Sequence, residues 1–200
     1  MLPIITPDKT DGTGLYTTPA VAFHWLIFGM VLCGWALGTY MAGLEFSPQK
    51  LRYVSWHKWL GITIFVIAAC RLVWRLTHRV PPLPPEMPAW QRRAAVSVHA
   101  LLYALILVIP ITGWLFSSAS GVPTVYFGWL QLPDLLERDK ELATVLRTTH
   151  ATLNWSLLVL ICGHAAFALK HHFMDRDDVL VRMLPIVRPP KREMMVNEGK

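Results

Sequence analysis

Charge is scarce in this 200-residue chain: Asp, Glu, Lys and Arg make up 16% of it, against about 25% in a soluble domain. Hydrophobic residues fill 54%. So few charges cannot coat a water-facing surface around so much apolar side chain, and an integral membrane protein of one domain is indicated. Paired cysteines are also missing. Cys33, Cys70 and Cys162 form no CxxC or CxxCH, which excludes a redox dithiol and a covalently attached haem. All three fall in apolar segments and are expected to pack in the core. The opening stretch MLPIITPDKTDGTGLYTTPA lacks a basic region followed by an apolar one, so no cleaved signal peptide is expected. No phosphate loop, Ser-His-Asp set or paired intramembrane carboxylates occur, which removes the usual footing for hydrolytic chemistry. There is no internal repeat.

What the chain does have is four long apolar runs and nine tryptophans, a residue that collects at membrane–water interfaces. A span needs roughly 20 mainly apolar residues. Runs of that kind cover about 19–42, 53–76, 94–117 and 144–171. Thr18-Pro19 makes a sound helix start, because proline there gives up an N–H that has no partner anyway. Pro110 is expected to kink the third span. The connector HRVPPLPPEMPAWQRR holds five prolines and favours a stiff extended chain. The loop over 118–143 is net acidic, with an interfacial helix expected around Leu132–Ala143. The net charge of +6 sits beside the spans, where it reports topology and not a nucleic-acid partner. By the positive-inside rule the proline connector and both termini are cytoplasmic, and the acidic loop faces the periplasm. The fold class expected is all-α, an up-down four-helix bundle in the membrane.

Histidines give this bundle its chemistry. His150 and His164 are fourteen residues apart on the fourth span, which is about 21 Å along the axis and almost four whole turns. Both therefore project from nearly one face, one toward each membrane surface. A single metal site would want a spacing of about three or four. His24 opens the first span at the inner level, and His57 opens the second at the outer level. Two level pairs result, His24 with His164 inside and His57 with His150 outside. Two imidazoles facing each other across a bundle are the axial ligand set of a low-spin haem b. Zinc or copper fits less well, since no third ligand accompanies either pair. Gly38, fourteen after His24, lies at the outer level; it either leaves room for a porphyrin or, with Gly34, packs helices as GxxxG. Arg71, fourteen after His57, lies at the inner level and either neutralises haem propionates or snorkels to the surface.

With these histidines placed, FHWLIF around His24, SWHKWLGI around His57, RTTHATLNW, GHAAFALKHH and VLVRMLP together resemble the bacterial cytochrome b561 family over residues 16–185. The resemblance implies two b haems, ligated by the four histidines in the same pairs, in the bacterial inner membrane. It also implies, for some members, oxidation of superoxide at the outer surface and reduction of ubiquinone. Fixed positive charge near the outer haem would steer a small anion; Lys58, Arg147 and Arg52 are the candidates, Arg147 foremost because it lies three residues before His150. His171, seven past His164 and about 10 Å nearer the cytoplasm, is the candidate proton donor to a reduced quinone. The resemblance points to it as well. His172, His78 and Arg79 are its neighbours with weaker claims. His99, at the inner start of span three, either lines the quinone pocket, bonds a propionate, or is a hydrogen-bonded bundle histidine. Two other readings stand beside a superoxide:ubiquinone oxidoreductase: a di-haem anchor subunit serving a partner redox protein, and a haem-free proton or metal-ion transporter.

Overall fold

Four helices, each long and apolar enough to cross a membrane, dominate a computed structural model that describes residues 16–84 and 87–184. Residues 1–15 of the stretch read for a signal peptide and the basic tail beyond 184 lie outside the described residues. Helix α1 runs Thr18–Ala42, α2 Pro48–Thr77, α3 Ala89–Ala119 and α4 Lys140–Lys170. At 1.5 Å per residue the last three approach 45 Å, longer than the roughly 30 Å hydrocarbon layer, so their ends reach the headgroups.

Local chemistry sets the helix starts. Thr17 is the N-cap of α1, with proline in its first turn. Ser47 Oγ accepts the Lys50 N–H at 3.2 Å ahead of α2. Asp139 Oδ1 accepts from Glu141 N and Leu142 N at 2.9 and 3.0 Å ahead of α4, an acceptor that also complements the helix dipole. Pro110 lies within α3, which continues through it.

The buried core is small: Ile27, Ile64, Ala68, Ile109 and Leu157 are its apolar members in the helices' interior. Many large apolar side chains, Phe65, Val66, Val73, Val96, Leu101 and Val159 among them, face outward. A helix that is apolar all round belongs in lipid. The cysteines follow the same rule. Cys33, Cys70 and Cys162 lie on the exposed surface and not in the core as expected, because apolar neighbours in a membrane bundle do not distinguish inside from outside.

Helix α1 packs along α2, α2 along α3 and α3 along α4. Side chains join α4 to α1 and α2: Trp35 meets Trp155 with ring centres 5.2 Å apart, and the four paired histidines lie between the same helices.

The α3–α4 loop departs from the expected interfacial helix. Thr124–Tyr126 (β1) and Leu130–Leu132 (β2) form an antiparallel hairpin, with Thr124 opposite Leu132. Phe127 and Gly128 have φ of 49° and 83°, as a type I′ turn requires. Residues 133–139 are irregular, and only 140–143 of the expected helix are helical, as the first turn of α4. Pro133 offers no N–H to a helix, and the neighbouring backbone is used elsewhere. Pro133 O accepts Trp114 Nε1 at 3.1 Å, Leu135 N donates to Ser118 Oγ at 3.2 Å, and Asp139 N donates to Ala119 O at 2.9 Å. The loop is stitched to the end of α3.

At the opposite end α4 passes into a π turn, His171–Asp175, closed by Arg176 in the left-handed region at φ 52°. The chain then folds back. Met183 O accepts Trp25 Nε1 at 2.7 Å, and Arg182 donates to Pro82 O in the proline connector.

Candidate functional site: two imidazole pairs

At the hairpin end, the rings of His57 (α2) and His150 (α4) have centres 6.2 Å apart, with planes at 84°. At the connector end, His24 (α1) and His164 (α4) have ring centres 6.3 Å apart at 67°. These separations have a simple meaning. Two imidazoles bound to one metal at about 2 Å each, with about 1 Å from each nitrogen to its ring centre, stand about 6 Å apart. Direct ring packing is closer: His99 lies 5.1 Å from His164, too near for both to hold one iron between them.

Hydrogen bonds behind the rings point the same way. His150 Nδ1 lies 3.1 Å from Ile109 O and 3.0 Å from Thr112 Oγ1. The carbonyl can only accept, so Nδ1 carries the proton and Nε2 keeps its lone pair for a metal. His24 Nδ1 and His57 Nδ1 are buried without a hydrogen-bond partner. Four half-buried imidazoles in an apolar bundle are a costly arrangement unless a ligand engages them. The residues present fit a bis-histidine haem at each level.

Glycines seat the hairpin-end pair. A Cβ on Gly38 would lie 3.0 Å from His57 Cε1, and one on Gly113 would lie 3.0 Å from His150 Cε1. Gly38 therefore backs the imidazole itself, a role different from either reading of the sequence; Gly34 meets Leu60 and Ile64 at ordinary distances. Sequence reasoning missed Gly113 and Thr112, which lie on the one span that supplies no histidine to a pair. Beside this pair is a cleft bordered by His57, His150, Gly34, Gly61, Pro110 and Asn154.

The connector end is basic. Arg71 and Arg75 place their guanidiniums 5.5 and 5.7 Å from the centre of the Tyr103 ring. Both line a second cleft, together with Tyr16, Trp74, His78 and Arg79. Arg71 and Arg75 thus lie together at this end of the bundle. His99 Nδ1–H donates to Ala95 O at 2.6 Å, on its own helix. His78 is exposed, stacked on Trp74 at 3.7 Å, and Nδ1 meets Trp74 O at 3.0 Å; it closes α2. His172 is half-buried and its Nδ1 has no partner. His171 is only 1% exposed.

Of the three cations near the hairpin-end pair, Arg52 and Arg147 are exposed. Lys58 is differently employed. Its Nζ donates to Val122 O and Pro123 O at 3.1 Å each, beside the Trp59 Nε1 bond to Val125 O at 2.7 Å. It clamps the hairpin onto α2, a structural job for a residue read as a steering charge.

Sequence comparison places the molecule. A model of the family described as prokaryotic cytochrome b561 matches residues 15–185. "Cytochrome b561 homolog 2" of Escherichia coli (strain K12) is 38% identical over 187 residues, covering 90% of this chain and 93% of that protein. "Cytochrome b561 homolog 1" of the same organism is 31% identical, covering 85% and 97%. "Probable superoxide oxidase CybB" of Yersinia pestis is 29% identical, covering 85% and 96%. A match over most of the chain, on a bundle of four membrane helices, makes this a multi-pass inner-membrane protein. The chain belongs to the prokaryotic cytochrome b561 family of haem b electron-transfer membrane proteins.

Proposed function

We propose that this chain is a superoxide:ubiquinone oxidoreductase. His57 and His150 would hold one b haem and His24 and His164 a second, and the pair would supply one-electron transfer across the membrane. The observation that carries the reading is the pair of 6.2 and 6.3 Å ring separations at opposite ends of one helix. Each matches the span of two imidazoles on a shared iron. The hairpin end is periplasmic, and the connector end, with both termini, is cytoplasmic, following the basic residues.

Bound there, haem would supply one-electron redox chemistry, with His57, His150, His24 and His164 as the residues that would hold it. The protein's own contribution is placement and charge. Ile109 O and Thr112 hold the His150 ring in one tautomer, and Gly38 and Gly113 let both hairpin-end rings seat flat. Arg147 and Arg52, exposed at that end, draw the superoxide anion to the surface by long-range attraction. Lys58 keeps the hairpin in place over α2. At the cytoplasmic end Arg71 and Arg75 offer positive charge to haem propionates. His171, beyond the inner pair, gives a proton to the quinone as it is reduced.

The relative named as a probable superoxide oxidase supports the donor. The test is a superoxide pulse on the fully oxidised, isolated protein, followed optically at the haem bands, with and without a short-tailed ubiquinone. Haem reduction by the pulse and reoxidation by the quinone are expected. No reduction by the pulse would instead favour the di-haem anchor subunit.

A further inference from the structure

His171 sits where an ordinary helix would have ended, and the chain beyond it is bent so that two carboxylates meet its ring. The α-helix widens into a π turn over His171–Asp175, and Arg176 adopts the left-handed conformation. Asp177 N then donates to His171 O at 3.2 Å. In a continued α-helix residue i+6 lies on the far side from residue i. Here the turn returns Asp177 to His171, and its Oδ2 reaches Nδ1 at 2.5 Å. The other oxygen, Oδ1, accepts the Val179 N–H at 3.1 Å, which fixes the carboxylate plane. Asp175 Oδ2 is also 3.1 Å from Nδ1, but it is paired with Lys170 Nζ at 2.5 Å. The Phe167 ring packs edge-on at 4.5 Å. His171 Nε2 is buried and has no hydrogen-bond partner.

We propose that Asp177 is a positioning residue that holds His171 in its Nδ1–H tautomer, making Nε2 the ring nitrogen that exchanges protons with the quinone. The inference rests on the reading of His171 as the quinone's proton donor. A carboxylate can only accept, so it keeps the proton on Nδ1 and stabilises the ring when Nε2 is protonated as well. In the transfer the Nε2–H bond breaks and a bond to a quinone oxygen forms, leaving the neutral Nδ1–H ring. Cytoplasmic water recharges Nε2. Two such transfers, with two electrons from the oxidation of two superoxide ions, complete one quinol. Pi turns of this kind recur at functional sites, where they aim a side chain that the regular helix would misplace.

The experiment compares holoprotein with Asp177→Asn, Asp175→Asn and His171→Gln variants. Asparagine preserves size and the Val179 cap, but its amide can donate to Nδ1 and reverse the tautomer. For Asp177→Asn the kcat for reoxidation of the reduced haems by quinone should fall about 10-fold or more, the range typical of lost orienting partners. KM, the haem bands and superoxide-driven reduction should stay unchanged. ¹⁵N NMR of labelled histidine should show His171 as the Nδ1–H tautomer in the parent protein and not in Asp177→Asn. Asp175→Asn should resemble the parent. An Asp177→Asn protein with the parent's kcat or tautomer, beside an impaired His171→Gln, overturns the dyad and leaves the proton-donor reading standing. Wild-type quinone turnover in His171→Gln overturns both. Loss of quinone reduction on chelation with recovery on adding zinc would make His171, Asp175 and Asp177 a metal site and also overturn the dyad.

Discussion

Gly113→Ala is a small change with a large expected consequence. The new Cβ would sit 3.0 Å from His150 Cε1 and 3.3 Å from Nδ1, where ordinary carbon contacts run about 3.5–4.0 Å. Either the ring or helix α3 must therefore give by a few tenths of an ångström. The ring is not free to yield, because Ile109 O and Thr112 Oγ1 hold Nδ1 at 3.1 and 3.0 Å. Overpacking of this kind costs about 1–3 kcal/mol. At about 1.4 kcal/mol per tenfold, the hairpin-end haem should be held about 5- to 150-fold more weakly. The assay is the ratio of haem to protein after purification and during dilution, with the two haems resolved by redox titration. Gly163→Ala is the control: nothing lies within 4 Å of its Cβ, and alanine favours a helix by about 1 kcal/mol over glycine. Gly113→Ala should shed the hairpin-end haem while Gly163→Ala keeps both. Equal haem retention in the two variants would refute the idea that His150 is seated by the missing side chain.

Replacing His57 by Ala should remove one haem and leave the other's spectrum intact; a preparation with two unperturbed haems would break the pairing. Arg147→Gln should slow haem reduction by superoxide and flatten its dependence on salt, since attraction between exposed charges is screened beyond about 10 Å at 0.1 M. An unchanged rate removes Arg147 from the approach path. Lys58→Met should loosen the hairpin, losing two charge-assisted hydrogen bonds at about 1.5–3 kcal/mol each before water compensates. Faster proteolysis within residues 120–135 is the readout, and a cleavage rate equal to the parent's would show that Lys58 does not hold the loop.

Regular periodicity carries far in a membrane chain. Hydropathy marks four helices because lipid forces every backbone group into internal hydrogen bonds, and a rise of 1.5 Å per residue assigns each histidine a depth. His150 and His164 share a face by counting alone, and the same count sets His24 and His57 at the two levels. Side-chain environment is harder to read. Apolar surroundings lie on both sides of the helices, so the expectation that the three cysteines pack in the core placed them on the wrong side. Lys58 looked like a free cation, because nothing in its own segment announces that the carbonyls of Val122 and Pro123, over 60 residues away, will converge on it. The loop after α3 read as a helix for a related reason: the groups that claim its backbone, Trp114 and Ser118, belong to another element.

Composition and spacing by themselves therefore determine that the chain crosses the membrane four times and that its histidines fall at two depths, since both follow from local rules of hydrogen bonding and helix pitch. Tertiary structure alone decides that the paired rings stand about 6 Å apart and not in contact, that Gly38 and Gly113 back them, and that Asp177 returns to His171. Those facts depend on which helices pack against which and on one turn that breaks the regular pitch. No local rule along the chain contains either.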